Sequence, residues 1–309
     1  YSKILSFTGR WGNEFQSQSI DRFMGAYVRE NRSGRTSHDS FPGVIVHTEQ
    51  TNESSGSAYG LHLGWSGNHH VRVEEQFTGQ AYAQLGELFL PGEMLLEPGQ
   101  AYKSPVLFGA STDKGLSALS GAFHRYVRAK LTDRRITNKI RPVHFNTWEA
   151  VYFDLSLKRL CTLADHAREV GVERFVLDDG WFKNRKSDNA GLGDWTVDKA
   201  IFPAGLAPLI NHVHKNDMEF GLWVEPEMVN PDSDLYRAHP DWVLNTQPAP
   251  LLLARNQLVL DLTRVEVQDY LFERLDALLN EYPISYLKWD MNRAIHQPGD
   301  QNGRAVGHQ

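Results

Sequence analysis

From Pro142 onward the sequence alternates short apolar runs with helical stripes, and this rhythm restricts the fold more than any other property of the chain. Val143–Trp148 reads as a short strand, and Leu157, Leu160, Leu163, Ala164, Ala167 and Val170 mark a helix stopped by Gly171. Phe175-Val176-Leu177 is the next strand, ending in Asp178-Asp179-Gly180-Trp181. Leu206, Leu209, Ile210 and Val213 make a second helix, and Phe220–Val224 a strand ending in Glu225-Pro226-Glu227. After a short extended piece at Leu258–Leu260, Thr263-Arg264-Val265-Glu266 reads as a capping box for a helix carrying Leu271, Leu275, Leu278 and Leu279. A break at Pro283 and the apolar run Ile284–Leu287 then lead into Lys288-Trp289-Asp290-Met291-Asn292-Arg293. Strands alternating with helices imply a parallel sheet, and in such sheets chemistry gathers at the carboxyl ends of the strands.

Those ends carry an unusual set of side chains: Trp148, Asp178 with Asp179, Trp223 with Glu225, and Lys288 with Asp290. Alternate residues of a strand share a face, so Lys288, Asp290 and Asn292 project together while the strand lasts. A carboxylate beside an ammonium has its pKa lowered and stays ionised, ready to act as an anionic nucleophile. A single Lys-x-Asp is more often a solvated strand end or a structural ion pair. Four strand ends bearing tryptophan or carboxylate point instead to a polar small-molecule site. Carboxylates accept from sugar hydroxyls, and indole faces pack on the C–H side of a pyranose. Glu225, Glu227 and Asp178 could also chelate Mg²⁺, although Pro226 and the surrounding tryptophans favour packing. Phosphate-binding glycine loops and the nucleophile-elbow pattern are missing from the sequence. His212 and His214, two apart on a helix, cannot share a metal, and Cys161 lies on the apolar side of its helix.

The first 109 residues have a different texture. Tyr59, Leu61, Leu63 and Trp65 alternate with Gly60, His62 and Gly64, and further short runs occur at Val44–Val46, Val71–Val73, Leu88–Leu90 and Val106–Phe108. Ser66-Gly67-Asn68, Pro91-Gly92 and Pro98-Gly99 are turn signals between them, so an antiparallel sandwich is expected. His38-Asp39 and His69-His70 fall in turn-like stretches without a third metal ligand at a useful spacing. Asp113 is placed to cap a helix with Leu116, Leu119, Phe123, Val127 and Leu131 on one side. Arg134-Arg135 and Lys139–Arg141 read as a charged linker. The expected layout is therefore an all-β domain at 1–110, a helix and linker at 111–141, and an α/β domain at 142–309. A net charge of -6 gives no bulk attraction to nucleic acid or anionic membrane, and no apolar run is long enough for a membrane span. One cysteine rules out an internal disulfide framework and suits a reducing, cytoplasmic setting.

Six stretches in this order carry a resemblance: FNTWEA at Phe145–Ala150, VLDDGWF at Val176–Phe182, GDWTVDKAIFPAGL at Gly193–Leu206, LWVEPEMVNPDSDLY at Leu222–Tyr236, RNQLVLDLT at Arg255–Thr263 and LKWDMNR at Leu287–Arg293. With them the chain resembles the bacterial α-galactosidases of glycoside hydrolase family 36, above all the raffinose-utilisation type, and SGRTSHDSFPG and WSGNH resemble that family's β-domain. The resemblance implies an N-terminal β-sandwich followed by a (β/α)8 TIM-type barrel, of which about the first four β/α units fit between Pro142 and Gln309, since a whole barrel takes about 250 residues. It implies a retaining glycosidase that cleaves terminal α-linked galactose from sugars such as raffinose or melibiose through a covalent galactosyl-enzyme. Asp290 matches the nucleophile. Asp178 and Asp179 would hold galactose hydroxyls, Lys288, Arg255 and Asn292 would add donors, and Trp148 and Trp223 would form walls. Arg255 could alternatively pair with Asp261. The general acid/base of the family falls beyond Gln309, so the chain is expected to be part of a longer protein.

The implied chemistry needs no metal or organic cofactor, and the implied partner is an α-galactoside rather than a nucleic acid or a membrane. Family members are commonly homo-oligomers, dimers or tetramers. Other readings stay open at this level: a non-catalytic galactoside-binding or assembly fragment, an α-N-acetylgalactosaminidase, or a galactosyl-transferring relative.

Overall fold

A computed structural model describes residues 1–90, 93–133, 135, 139–246 and 248–299. The Pro91-Gly92 turn, Arg134 of the linker and the last residues of the 142–309 segment lie outside the described residues. The chain divides into two compact units, Tyr1–Lys139 and Ile140–Arg293, with short pieces beyond residue 293 shared between them.

The first unit holds two antiparallel sheets. One has the order β2-β1-β4-β5-β8, built from β1 (Lys3–Arg10), β2 (Asn13–Asp21), β4 (Gly43–His47), β5 (Ala58–Leu63) and β8 (Leu107–Thr112). The other is β3-β6-β7, from β3 (Gly25–Asn31), β6 (His69–Glu75) and β7 (Ala81–Glu87). Ile4 and Val44 from one sheet pack on Val71 and Val73 from the other, with Tyr27, Leu61 and Leu85 around them, so the expected sandwich is present. The Tyr27 hydroxyl donates to Ser6 Oγ across the two sheets at 2.8 Å. The α-helix α1 (Gly115–Tyr126) covers the outer side of β5. A side chain at Gly60 would stand 2.9 Å from Phe123 and 3.1 Å from Leu119, so this close approach needs glycine. That coverage buries Ala58 and Gly60, the side of β5 that simple alternation would leave to solvent, while Tyr59 on the opposite side is exposed.

Two expectations for this unit need correction. Asp113 does not cap α1; the first helical N–H groups of Gly115, Leu116 and Ser117 donate to the carbonyls of Gly56, Asn52 and Glu53. A neighbouring loop thus satisfies donors that a side chain was expected to satisfy. His69 and His70 open β6 rather than a turn, and buried His69 sits within reach of the Gly67 carbonyl at 3.1 Å.

In the second unit four parallel strands lie side by side in chain order: β9 (His144–Asn146), β10 (Arg174–Leu177), β11 (Glu219–Val224) and β14 (Tyr286–Trp289). Each new strand adds beside the last, so the winding never reverses direction as it does in a doubly wound sheet. Helices α3 (Leu157–Glu169), α4 (Ala207–Lys215) and α6 (Val265–Glu281) connect them, with the short α5 (Asp234–Ala238) between α4 and α6 in sequence. Ser156 caps α3 by accepting from Arg159 N, and Gly171 at φ +86° ends it, as expected. The capping box at Thr263–Glu266 does not form. The Thr263 hydroxyl and amide both donate to Asp261 Oδ1, at 2.6 and 3.0 Å, and α6 has no side-chain cap.

One face of the sheet is wholly apolar: Phe175, Leu177, Phe220, Leu222 and Val224 are completely buried. Burying each such side chain contributes about 1.5–3 kcal/mol before entropy is counted. The strand register puts His144 and Asn146, Arg174 and Val176, Gly221 and Trp223, and Tyr286 and Lys288 together on the other face. Leu258–Val259 is not a fifth member; as β13 it pairs antiparallel with β12 (Met228–Val229).

Candidate active site

The polar face ends in a buried network at the carboxyl edge of the sheet. β9 runs directly into the short helix α2 (Trp148–Val151), whose preceding residue Thr147 accepts from Asp178 N through its hydroxyl at 2.9 Å. β10 then delivers Asp178 and Asp179, and Gly180 at φ +104° turns the chain sharply between Leu155 and Phe153. That turn sends Trp181 back into the core, where its indole N–H donates to the Trp223 carbonyl at 2.9 Å.

The two adjacent carboxylates have separate partners. Lys288 Nζ donates to Asp178 Oδ2 at 2.6 Å. Arg185 grips Asp179 at both oxygens, with Nε at 2.9 and 3.1 Å and Nη2 at 2.8 Å. Burial pushes the Asp179 carboxyl up from the usual range, and the Arg185 guanidinium pulls it back. Arg185 is anchored in turn by the Ala190 carbonyl and by Asn230 Oδ1. Fully buried Asn230 also accepts from Leu192 N and donates to the carbonyls of Asp188 and Asn256. One amide therefore ties the loop after β10 to the turn Ala254–Gln257.

Asp290 leaves β14 with its amide donating to the Val224 carbonyl at 2.8 Å. Its Oδ2 accepts from Trp223 Nε1 at 3.0 Å and Asn292 Nδ2 at 2.8 Å, and its Oδ1 from Met291 N at 2.9 Å. Three neutral donors thus fix the carboxylate. The sequence-based account of Lys288 is corrected here. Lys288 pairs with Asp178, and hydrogen bonding rather than an adjacent ammonium holds Asp290.

The remaining expected residues divide. Trp223 is 2% exposed and lies parallel to Phe182, with centroids 6.3 Å apart, so it orients Asp290 by its N–H and offers no open wall. Trp148 is half-buried and edge-on to Tyr152 and Phe153, and it follows Thr147, whose hydroxyl accepts from Asp178 N. Arg255 does not pair with Asp261, whose carboxylate is taken by Thr263; its guanidinium faces Asn292 Oδ1 at 3.4 Å. Arg255 and Asn256 both have positive φ, +53° and +59°, at the tip of the two-residue turn closed between Ala254 and Gln257. A left-handed arginine costs of order 1 kcal/mol and is kept where surroundings over-determine it. Asn230 and Gln257 provide that constraint. Asn292 is the bridge between Arg255, Asp290 and Glu225.

Glu225 is fully buried, accepting from Asn292 N at 2.6 Å and Gln257 Nε2 at 3.0 Å. Burial pushes its carboxyl up to about 7; Asn292 opposes the rise and the neighbouring Asp290 charge adds to it. The Mg²⁺ arrangement does not occur, because Glu227 turns away to accept from Trp289 Nε1 at 2.9 Å and Asp178 is held by Lys288. Among the described residues no group of three or more His, Cys, Asp or Glu is arranged to hold a metal. Sequence reasoning missed Thr147, Arg185, Asn230 and Gln257 as parts of this site. Thr147, Asn230 and Gln257 lie inside the motif stretches, whereas Arg185 falls between two of them and carried no signal at all.

Residues 101–308 match the family model described as melibiase, and residues 2–97 match the glycosyl hydrolase family 36 N-terminal domain. An alpha-galactosidase of Escherichia coli is 46% identical over 304 residues, which cover 98% of this chain and 43% of the relative. The crystal structure of GH36 alpha-galactosidase AgaA from Geobacillus stearothermophilus superposes with a TM-score of 0.93 at 37% identity, covering 97% of this chain and 42% of that one. A variant of AgaA in complex with raffinose superposes with a TM-score of 0.92 at 37% identity over the same shares. The chain spans about two-fifths of the length of these relatives.

Proposed function

The chain belongs to the melibiase family of glycoside hydrolases, with the family 36 N-terminal domain ahead of the melibiase region, and from that premise we propose that it carries the galactose-binding and nucleophilic half of a retaining α-galactosidase. The observation that carries this reading is the convergence of Asp178–Lys288, Asp179–Arg185 and the triply held Asp290 at one sheet edge. In this reading the four strands begin a (β/α)8 barrel, whose active site belongs at the carboxyl end. Asp178 and Lys288 together present an acceptor and a donor to a sugar hydroxyl, and the buried Asp179 adds a fixed acceptor. Raffinose-like sugars with a terminal α-galactose are the proposed substrates, supported by the raffinose complex of an AgaA variant.

Asp290 attacks the anomeric carbon as the glycosidic C–O bond breaks, and the leaving oxygen takes a proton from a carboxylic acid about 5–5.5 Å away. Water then cleaves the glycosyl ester, with that second group acting as base. Asp178 and Asp179 are held by cations and Glu225 is sealed, so none of these three is placed to act as that acid, and the family resemblance puts it outside the described residues. A reducing, cytoplasmic location and a homo-oligomeric state also belong to the proposal, supported by the single cysteine and the family resemblance respectively. Among the described residues no helix is long and apolar enough to cross a membrane.

The decisive experiment treats the protein as its gene encodes it with a mechanism-based α-galactosyl label. Label on Asp290, with Asp290→Asn lowering kcat for an aryl α-galactoside by about 10⁴-fold or more, is the expected outcome. Label on a different carboxylate would remove Asp290 from the role.

A further inference from the structure

Fully buried Glu225 cannot touch a sugar, yet it lies one hydrogen bond away from the residue that holds Asp290. Its Oε1 accepts the main-chain N–H of Asn292, fixing the first turn after β14, and the Asn292 side chain then donates to Asp290 Oδ2. Its Oε2 accepts from Gln257, and the Gln257 main-chain carbonyl accepts from Arg293 Nη1. The hairpin that carries Arg255 is thereby fastened to the strand exit at two successive residues, Asn292 through Glu225 and Arg293 directly. We propose that Glu225 and Gln257 are positioning residues for Asp290, acting through Asn292, and that neither is an acid, a base or a sugar ligand. The proposal rests on the reading of Asp290 as nucleophile.

A second observation fits the same arrangement. Gln257 Oε1 is buried without a hydrogen-bond partner, an expensive state for an acceptor. Turning the amide by a half rotation would place this oxygen against Glu225 Oε2, where it could accept if Glu225 carried a proton. The clamp can then close in either charge state: Gln257 donates to a carboxylate or accepts from a carboxylic acid. Glu225 titrates close to neutrality, so both states are within reach. The quantity conserved through the exchange is the acceptor at Oε1 that holds Asn292 N.

Shape rather than charge is therefore what the site requires of residue 225. Glu225→Gln keeps the acceptor for Asn292 and supplies an N–H to the vacant Gln257 oxygen. Glu225→Ala removes both contacts and frees the turn that carries Asn292. A displacement of the nucleophile by about 1 Å costs about 100-fold in rate.

The test is steady-state kinetics with an aryl α-galactoside on the protein as its gene encodes it, alongside Asp290→Asn. We expect Glu225→Gln to keep kcat within about threefold of the parent. Glu225→Ala is expected to lose about 10–100-fold in kcat with KM changed less than about threefold. Gln257→Leu should fall in the same way as Glu225→Ala, and the double variant should be no worse than the poorer single. Should Glu225→Ala fail to fold, Gln257→Leu alone supplies the kcat-against-KM comparison. A Glu225→Gln variant as inactive as Glu225→Ala would mean that the charge itself is used, and a loss confined to KM would mean a binding role. Either result overturns positioning. Full activity in Asp290→Asn would instead overturn the nucleophile reading, and is separately recognisable.

Discussion

The four parallel strands carry charge at both ends of one face, and the ends are built differently. At the amino end Arg174 donates to Glu219 Oε2 through Nε at 2.8 Å and meets His144 Nε2 through Nη1 at 2.9 Å, and its guanidinium lies over the Tyr286 ring. The Glu219 side chain is half exposed, so water reaches the pair from that side. At the carboxyl end the Asp179 and Arg185 side chains are 7% and 2% exposed, Asp178 is 4% exposed, and Glu225 is sealed. These buried groups are also tied to backbone or amide partners: the Asp179 main-chain N–H to the Asp178 carboxylate, Ala190 and Asn230 to Arg185, Asn292 and Gln257 to Glu225. Paired charge alone therefore does not mark a working site, since both ends have it. What distinguishes the carboxyl end is that its charge is desolvated and supported by neutral partners, an arrangement that is costly to break.

The sharpest way to break this comparison is at Arg185. Arg185→Met leaves Asp179 buried beside Asp178 without its cation, and the expected loss of stability is about 3–5 kcal/mol. A urea unfolding midpoint measured with unchanged m-value reads it directly. A loss below about 1 kcal/mol would mean that Asp179 finds water or a proton easily, making the two ends energetically alike.

Much of this contrast was legible in the sequence, for definite reasons. The βα rhythm places Asp178, Glu225 and Asp290 at strand ends because strand length is fixed by short apolar runs such as Phe175–Leu177 and Phe220–Val224. Period-two geometry also puts Lys288 and Asp290 on one side. It does not say which acid Lys288 meets, because that depends on the neighbouring strand: Trp223 pairs with Lys288 in register, and Asp178 lies across from both. Arg185 and Asn230 were invisible for a similar reason. They sit in irregular loops, 45 residues apart, and their contact is set by the turn at Gly180 and the tip at Arg255–Asn256 rather than by any periodic pattern. Local signals failed where tertiary partners supplied the hydrogen bonds, as at Asp113 and Thr263.

A second, somewhat smaller effect isolates burial from pairing at the carboxyl end. Glu225 binds its proton more tightly folded, at about 7, than at its ordinary 4.5. Between those values the native state holds more protons than the unfolded chain, so stability falls as pH rises from about 4.5 to about 7. The full penalty, of order 3 kcal/mol, applies above pH 7 and is absent below pH 4.5. Glu225→Gln removes the titration while keeping the hydrogen bond. Its thermal midpoint should exceed the parent's at pH 8, and the gap should shrink toward zero at pH 4.5. A gap independent of pH would show that Glu225 is not desolvated in the way its surroundings imply.

The smallest effect is expected at the amino end. Glu219→Gln removes one charge from a half-exposed pair, and Arg174 keeps both the Tyr286 ring and His144 beside it. A pair in contact with water contributes about 0–1 kcal/mol. Screening shortens the reach of such charges from about 30 Å at 0.01 M salt to about 3 Å at 1 M, so whatever the pair contributes should fade over that range. The same salt series on Arg185→Met should change little, since the Asp179 side chain is nearly closed to ions. Urea midpoints for both variants across that series therefore separate the two ends by salt sensitivity as well as size. A salt-insensitive loss above about 2 kcal/mol in Glu219→Gln would place the amino-end cluster in the same class as the carboxyl-end network, and the distinction drawn from burial would fail.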